Sequence, residues 1–516
     1  ICYKITGMKV TKLISSLALG SSMVLIFEPF NFWFLGFLIP LSFYFLIKGE
    51  DIKNSFFLGW FLGFGLWLFG IFWIENSIYF YGGANKVTSY FLVVCLSAFL
   101  ASINGVFISI FAYCKTNTNF DILFLFPSTW VASEWVREFL FSGFPWFYIG
   151  YTTIDNFFIS GFIPIFGVFG MSFVLIFIPA LIFISYKSFL KSYTDKKKFT
   201  YASVLLLILF SAFFSYEAEW TKEKEEINII IIQPNISIEE KWSFQGEIES
   251  IDLFKDKIKE HASQAEKEEI LSIVFWPEAF LPGLSSKYTE IINELDDLTM
   301  ESNFASIFGT LSKSTNNEEG ITNSLLSLGK LKGKFDKQKL VPFGEYVPFS
   351  FFNSFFNFFN FNRPNIISSN NNVLINSENL NISSAICYEI AFQDIFLEHG
   401  KKSNILFNAS NDNWFGNTIG PYQHLQISRY RAAEHRKPLV RSTSTGVSAL
   451  IDKFGNIVGS IELDNEKKVI LNSRELKDVV ISRSGHTPFV IIGKWPFIFL
   501  ILIIIFGSFM TKIFRK

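Results

Sequence analysis

A chain of 516 residues with 45 Lys and Arg against 46 Asp and Glu exceeds one ordinary domain and carries a net charge of −1. Half of its residues are hydrophobic, 65 of them Phe, and its mean hydropathy is positive. A near-neutral chain with no basic stripe excludes a nucleic-acid binder, and so large an apolar excess points to lipid.

The excess is unevenly spread. Residues 12–27, 31–47, 55–74, 89–114, 122–141, 160–186, 199–215 and 491–511 are mostly Leu, Ile, Phe, Val, Gly and Ala. Each approaches the roughly 20 residues that cross about 30 Å of hydrocarbon, although the first two are short enough for a tight hairpin. The expectation is an α-helical membrane bundle of about eight transmembrane helices, seven before and one after a soluble block. The domains then fall at 1–215, 216–489 and 490–516.

Orientation follows from where Lys and Arg flank the spans. Lys4, Lys9 and Lys12 precede the first, Lys48 and Lys53 follow the second, and Lys115 follows the fourth. Lys187, Lys191 and Lys196 to Lys198 separate the sixth and seventh, and Lys512, Arg515 and Lys516 close the chain. Eight crossings put all of these on one side, the cytoplasm, and the soluble block on the outer face. No small-residue cleavage site follows the first span, so it does not read as a cleaved signal peptide; Ile1 is not an ordinary start, which leaves Met8 as a candidate initiator.

Charge inside a span is costly. Glu134 and Arg137 lie three residues apart on one helical turn, where they can pair, either as a structural ion pair or with a direct role. The turn Ser142-Gly-Phe-Pro-Trp146 that follows reads as re-entrant or interfacial, with Trp146 at headgroup depth lining an entry for lipid.

Between 216 and 489 short apolar runs alternate with charged helices and turns. Strands are expected at 227–233, 271–276, 305–310, 323–330, 333–341, 381–387, 403–408, 439–444 and 447–451, with helices at 245–268, 287–300 and 422–434. This alternation fits an α/β sandwich with sheets inside and helices outside. One cysteine, Cys387, lies in the whole block, at the end of an apolar run. It is either an inert core thiol or a nucleophile. Glu278 ends another apolar run and Lys337 precedes a third. A carboxylate, an ammonium and a thiol at strand ends are the parts of a Cys-dependent acyl-transfer site.

The motifs Phe275-Trp-Pro-Glu278, Phe335-Asp-Lys337-Gln-Lys-Leu-Val-Pro-Phe-Gly-Glu345 and Ala385-Ile-Cys387-Tyr-Glu389 resemble those of the nitrilase superfamily. Gln233-Pro-Asn235, Asn411-Asp-Asn-Trp414-Phe-Gly416 and Gly420-Pro-Tyr-Gln-His424, with the Gly143-Phe-Pro-Trp146 turn, resemble its membrane-embedded branch, the bacterial apolipoprotein N-acyltransferases. Lys339 stands where many superfamily members have His, a change expected to affect packing more than chemistry. The resemblance implies a nitrilase-like αββα domain on the periplasmic side of the inner membrane. It also implies ping-pong acyl transfer: a phospholipid of the phosphatidylethanolamine type acylates Cys387, and the α-amino group of a diacylglyceryl-cysteine apolipoprotein takes the chain.

In that reading Glu278 is the base, Lys337 supports the thiolate and the oxyanion, and Glu345 orients Lys337. Tyr388 and Glu389 are candidates for positioning the acyl carbonyl. Trp242 and Trp414 are candidates for lipid contact. The Phe-rich segment 349–361, with Phe352, Phe356 and Phe359, reads as an arm dipping into the outer leaflet, or else as a core helix. The five histidines have no metal-ligand spacing, and no phosphate loop appears, so neither metal nor cofactor is expected. The alternatives are a membrane-tethered amidase or hydrolase that uses water as acceptor, and a non-enzymatic transporter or scaffold.

Overall fold

The computed structural model describes residues 9–190, 195–314, 320–348, 366–369, 374–462 and 473–514. The Phe-rich segment, with Phe352, Phe356 and Phe359, lies outside them. The chain divides into a helical unit (Ile1–Phe80, Ala84–Ala218, Ile491–Lys516) and an α/β unit (Tyr81–Gly83, Glu219–Val490).

All eight apolar segments are helical in the first unit. Among the described residues four helices are long and apolar enough to cross a membrane: Ile52–Gly70, Lys86–Cys114, Ser160–Leu190 and Trp495–Phe514. Val10–Ile26, Leu35–Ile47 and Ala202–Glu217 are shorter apolar helices, and Phe126–Val136 continues a π-helical turn at Asp121–Leu125. Large apolar side chains such as Phe91, Leu207 and Ile503 are exposed on the outside of this unit, while Ser55, Ser97 and Thr129 are buried in it. That inversion suits a bundle solvated by lipid. Small residues set the helix spacing: a Cβ on Gly63 would meet Ala101 Cα at 2.9 Å and Asn104 Oδ1 at 2.6 Å. Gly59, one turn earlier, is equally tight against Ile108.

Glu134 and Arg137 do not hydrogen-bond each other in the way their spacing suggests. Arg137 donates to the Ser133 and Trp146 carbonyls and lies over the Trp67 and Tyr148 rings, whereas Glu134 accepts from Trp130 Nε1 and Ile149 N. Backbone groups freed by the Phe144–Trp146 turn outcompete the neighbouring side chain. Trp146 itself is buried, 2% exposed, inside the helical unit and not on its rim.

Among the described residues the second unit contains two six-stranded sheets. In the first the order is β12-β1-β2-β3-β4-β5, formed by β1 (Thr221–Gln233), β2 (Leu271–Phe275), β3 (Phe304–Lys313), β4 (Ile321–Gly329), β5 (Lys334–Asp336) and β12 (Arg474–Gly485). In the second it is β11-β10-β9-β8-β7-β6, formed by β6 (Ile375–Asn376), β7 (Asn381–Ile386), β8 (Ile405–Ser410), β9 (Leu439–Thr443), β10 (Ser448–Ile451) and β11 (Ile457–Ile461). Each sheet has a parallel trio at its centre, β1-β2-β3 or β7-β8-β9, flanked by antiparallel strands. The central strands, such as Ile-Ile-Ile-Ile in β1 and the wholly buried Ile-Leu-Phe-Asn-Ala-Ser of β8, are covered on both faces, as parallel strands must be.

Helices Phe244–Ala265 and Thr289–Thr299 lie on the outer face of the first sheet, where Phe254, Ile258 and Leu295 pack with Val274, Trp276 and Phe308. Helices Gln393–Gly400 and Gly420–His435 contact β7 and β9 of the second. Between the sheets Phe275 meets Phe407 at 4.8 Å, and Gln233 Oε1 accepts from Thr443 and Ser448. The result is a four-layer helix–sheet–sheet–helix stack.

Candidate active site

The chemistry-bearing residues follow the carboxyl ends of strands, where open α/β sheets expose backbone and side chains to a ligand. Glu278 comes three residues after β2, Lys337 one residue after β5, and Cys387 one residue after β7. Glu278 and Lys337 are buried, Lys337 only 1% exposed.

Lys337 Nζ lies 3.1 Å from Glu278 Oε1 and 2.7 Å from Glu345 Oε1. Glu345 is fixed in turn by Val341 N, which donates to its Oε2 at 2.7 Å. Burial alone would pull the Lys337 ammonium down, but the charges of Glu278 and Glu345 outweigh it and hold its pKa well above the ordinary lysine value. A permanent cation therefore sits among the acidic groups.

Asn323 in β4 is a site residue that sequence reasoning missed. Its Nδ2 donates to Glu278 Oε1 at 2.7 Å, and its backbone carbonyl accepts from Lys337 N at 2.8 Å. With Oε1 taken by Asn323 and Lys337, Glu278 Oε2 has no hydrogen-bond partner among the described residues. That oxygen is free to take a proton.

Cys387 opens a 3-10 turn, Cys387–Ala391, at φ +53°. A side chain other than Gly in the left-handed region costs about 1–3 kcal/mol, so the surroundings must hold it there. Burial, then the Glu278 charge, push the Cys387 thiol up to about 12, with Lys337 acting in the opposite sense. The three groups thus act electrostatically on one another. A thiol held protonated in this way can act as a nucleophile only if a neighbouring base removes its proton in the same step.

Glu389 acts on the backbone. Its Oε2 accepts from Ile386 N at 2.8 Å, and its Oε1 accepts from Gln338 N at 2.5 Å and Lys339 N at 2.9 Å. One carboxylate ties the Cys387 turn to the segment carrying Lys337. Burial raises Glu389 to about 7 against these hydrogen bonds. Tyr388 is buried with its ring edge-on to Phe392 at 5.3 Å.

Trp242 and Trp414 are substantially exposed, at 50% and 38%, and Phe343 between Lys337 and Glu345 is exposed as well. Lys241, beside Trp242, was also missed: it is buried, and burial pulls its ammonium down to about 8 against the opposing charge of Glu278. Among the described residues, Glu260, His261 and Glu475 form the one His and acidic cluster compact enough for a metal, and Lys257 Nζ already sits on both carboxylates.

A buried Glu–Lys–Cys set at strand ends in an αββα stack defines the class of carbon–nitrogen hydrolases of the nitrilase type, here joined to a helical membrane unit. Residues 243–480 match the carbon-nitrogen hydrolase domain, and residues 19–181 match the apolipoprotein N-acyltransferase N-terminal domain. A relative from Pasteurella multocida named apolipoprotein N-acyltransferase is 31% identical over 489 residues, covering 91% of this chain and 90% of its own. Another of that name, from Haemophilus influenzae, is 31% identical over 519 residues, covering 96% and 94%. Among solved structures, Saccharomyces cerevisiae Nit3, of branch 10 of the nitrilase superfamily, aligns with 49% of this chain and 90% of its own at 13% identity and a TM-score of 0.36. The chain belongs to the apolipoprotein N-acyltransferase family and is a membrane-bound acyltransferase.

Proposed function

We propose that this chain moves an acyl group from a phospholipid of the phosphatidylethanolamine type to the α-amino group of the N-terminal diacylglyceryl-cysteine of apolipoproteins, through a thioester on Cys387. The carrying observation is Lys337 locked between Glu278 and Glu345 while Glu278 keeps one oxygen unengaged.

In the first half-reaction Glu278 takes the thiol proton as the Cys387 sulfur attacks the ester carbonyl, and Lys337 stabilises the oxyanion. The tetrahedral intermediate collapses by breaking the ester C–O bond. Glu278 returns the proton to the leaving glycerol oxygen, and a lysophospholipid departs. In the second half the acceptor amine attacks the thioester carbonyl and Glu278 accepts its proton. The C–S bond then breaks, and the sulfur recovers a proton from Glu278. Every proton movement uses this chain's own residues, with no metal or cofactor in the scheme.

The same reading places the chain as a multi-pass protein of the bacterial cytoplasmic (inner) membrane, with eight crossings and its catalytic domain, 216–489, on the periplasmic side. In support, Lys12 and Lys115, from different helices, converge on Glu50, which puts two of the flanking cations at one end of the bundle. Trp242, Trp414 and the Phe-rich segment are proposed to meet the lipid and the acceptor.

The test is intact mass of the purified full chain after incubation with phosphatidylethanolamine in detergent. An added acyl mass is expected in the parent, absent after Cys387→Ser, and discharged by a diacylated lipopeptide amine. Absence of the adduct in a folded parent would sink the thioester route, and free fatty acid as the main product with the lipopeptide present would favour hydrolysis.

A further inference from the structure

The left-handed turn at Cys387 is held from a direction that the catalytic set does not explain. His424 Nε2 lies 3.2 Å from the Cys387 carbonyl oxygen, and Asn408 Nδ2 lies 3.4 Å from it and 3.1 Å from the Ala385 carbonyl. His424 projects from the helix Gly420–His435. Its Nδ1 is 3.1 Å from Arg441 Nη2 and 3.2 Å from Asp412 Oδ1, and Arg441 Nη2 also donates to Asp412 Oδ2 at 2.7 Å. Arg441 Nη1 donates to Asn408 Oδ1, which turns the Asn408 amide N–H groups toward the two carbonyls. His424, Arg441 and Asn408 are fully buried and Asp412 is 1% exposed.

Nδ1 faces both a donor, Arg441 Nη2, and an acceptor, Asp412 Oδ1, whereas Nε2 faces the Cys387 carbonyl oxygen. A proton on Nε2 satisfies the Arg441 and Cys387 contacts and a proton on Nδ1 only the Asp412 contact, so the neutral imidazole is assigned its proton on Nε2. The other tautomer would set two lone pairs against each other at the Cys387 carbonyl. Burial, reinforced by the Arg441 charge, holds His424 below its ordinary pKa, so the ring stays neutral.

We propose that His424 is a positioning residue for acyl transfer: its Nε2–H, oriented by Arg441 and Asp412, clamps the Cys387 carbonyl and with it the strained turn from which the sulfur attacks. This rests on the reading of Cys387 as nucleophile. A misplaced nucleophile lowers the rate of attack more than it weakens donor binding, so the loss falls on kcat and not on KM.

The test compares His424→Ala, His424→Gln and His424→Asn in the full chain in detergent, with the rate of acyl-adduct formation on Cys387 followed by intact mass against phosphatidylethanolamine concentration. Gln can present an N–H at the ε position, whereas Asn presents one at the δ position. Ala and Asn are expected to lose roughly tenfold to a hundredfold in the saturated rate with KM within about twofold, and Gln to recover to within about threefold of the parent. An Ala variant at the parent rate, or Gln no better than Asn, overturns the assignment. Should the variants fail to fold, labelled-histidine NMR on the parent decides: a neutral ring with its proton on Nε2 is expected at His424, and one protonated on Nδ1 overturns it. A parent that forms no adduct defeats the acyl-transfer reading itself, whereas an active parent matched by its Ala variant defeats only the role of His424.

Discussion

Asn323 reaches Glu278 with a 2.7 Å hydrogen bond from its side chain, although 45 residues separate the two and they sit on different strands' ends of one sheet. The contact leaves Glu278 with one oxygen bound and one unengaged, which is the state a proton shuttle needs. Removal of the amide by Asn323→Ala is expected to slow acyl-adduct formation roughly tenfold or more, since the carboxylate gains freedom to turn. Asn323→Asp should be worse, because it sets a second carboxylate against the first. Single-turnover rates rank the three forms, and an Asp variant as fast as the parent would remove Asn323 from the site.

Lys337 carries two consequences that separate cleanly. On its proposed role as an oxyanion donor, its loss in Lys337→Ala is expected to raise the barrier by about 3 kcal/mol, a hundredfold or more in rate. As the cation shared by Glu278 and Glu345, its loss also strands two carboxylates, one of them buried, at a stability cost of roughly 3–5 kcal/mol. A Lys337→Ala, Glu345→Gln double variant should regain part of the stability without regaining activity. Thermal unfolding and acyl turnover, measured on the same preparations, check both halves; restored turnover would contradict the direct role.

The sequence exposed the strand-end groups because an acid, a cation and a thiol each punctuate an apolar run. It exposed the central strands for the same reason, since β2, β7, β8 and β9 are continuous buried runs. What it hid were polar residues inside such runs. Asn323 in β4, Asn408 in β8 and Arg441 in β9 carry no signal within their own runs; the fold brings Asn323 to Glu278, Asn408 to the Cys387 carbonyl and Arg441 to Asn408. The edge strands β11 and β12 were missed for different reasons: β12 is half-exposed and rich in charge, whereas β11, Ile-Val-Gly-Ser-Ile, is a short run broken by Gly and Ser. Spacing placed Glu134 and Arg137 on one turn but could not foresee that the Trp146 carbonyl would take the guanidinium.

The Cys387 thiol, pushed up to about 12 chiefly by burial and then by Glu278, supplies a pH signature. At pH 7 such a thiol is almost wholly protonated, whereas a free cysteine is a few per cent thiolate. Alkylation by iodoacetamide, which reads thiolate, should therefore climb about tenfold per pH unit from pH 6 to 9 without levelling. Lys337→Ala should lower the whole line, because the lost cation favoured the thiolate. A plateau near neutral pH would mean a preformed thiolate and a different role for Glu278.

Lys241 offers the opposite sign. Burial pulls its ammonium from 10.5 down to about 8, with the Glu278 charge only partly opposing. Below pH 8 the group is charged in both folded and unfolded chains, so the folded state bears the full cost of burying it, about 3 kcal/mol for the shift. Between pH 8 and 10.5 the unfolded chain holds the proton that the folded chain has released, so stability rises with pH across that window and the deficit is gone above it. Lys241→Met keeps the stem and removes the charge. It is expected to unfold at a higher temperature than the parent at pH 7, with the gap closing toward pH 10. A Met variant less stable at pH 7 would show that the ammonium is held by more than the folded interior supplies against it, and would reverse the assignment of Lys241 as an energetic cost.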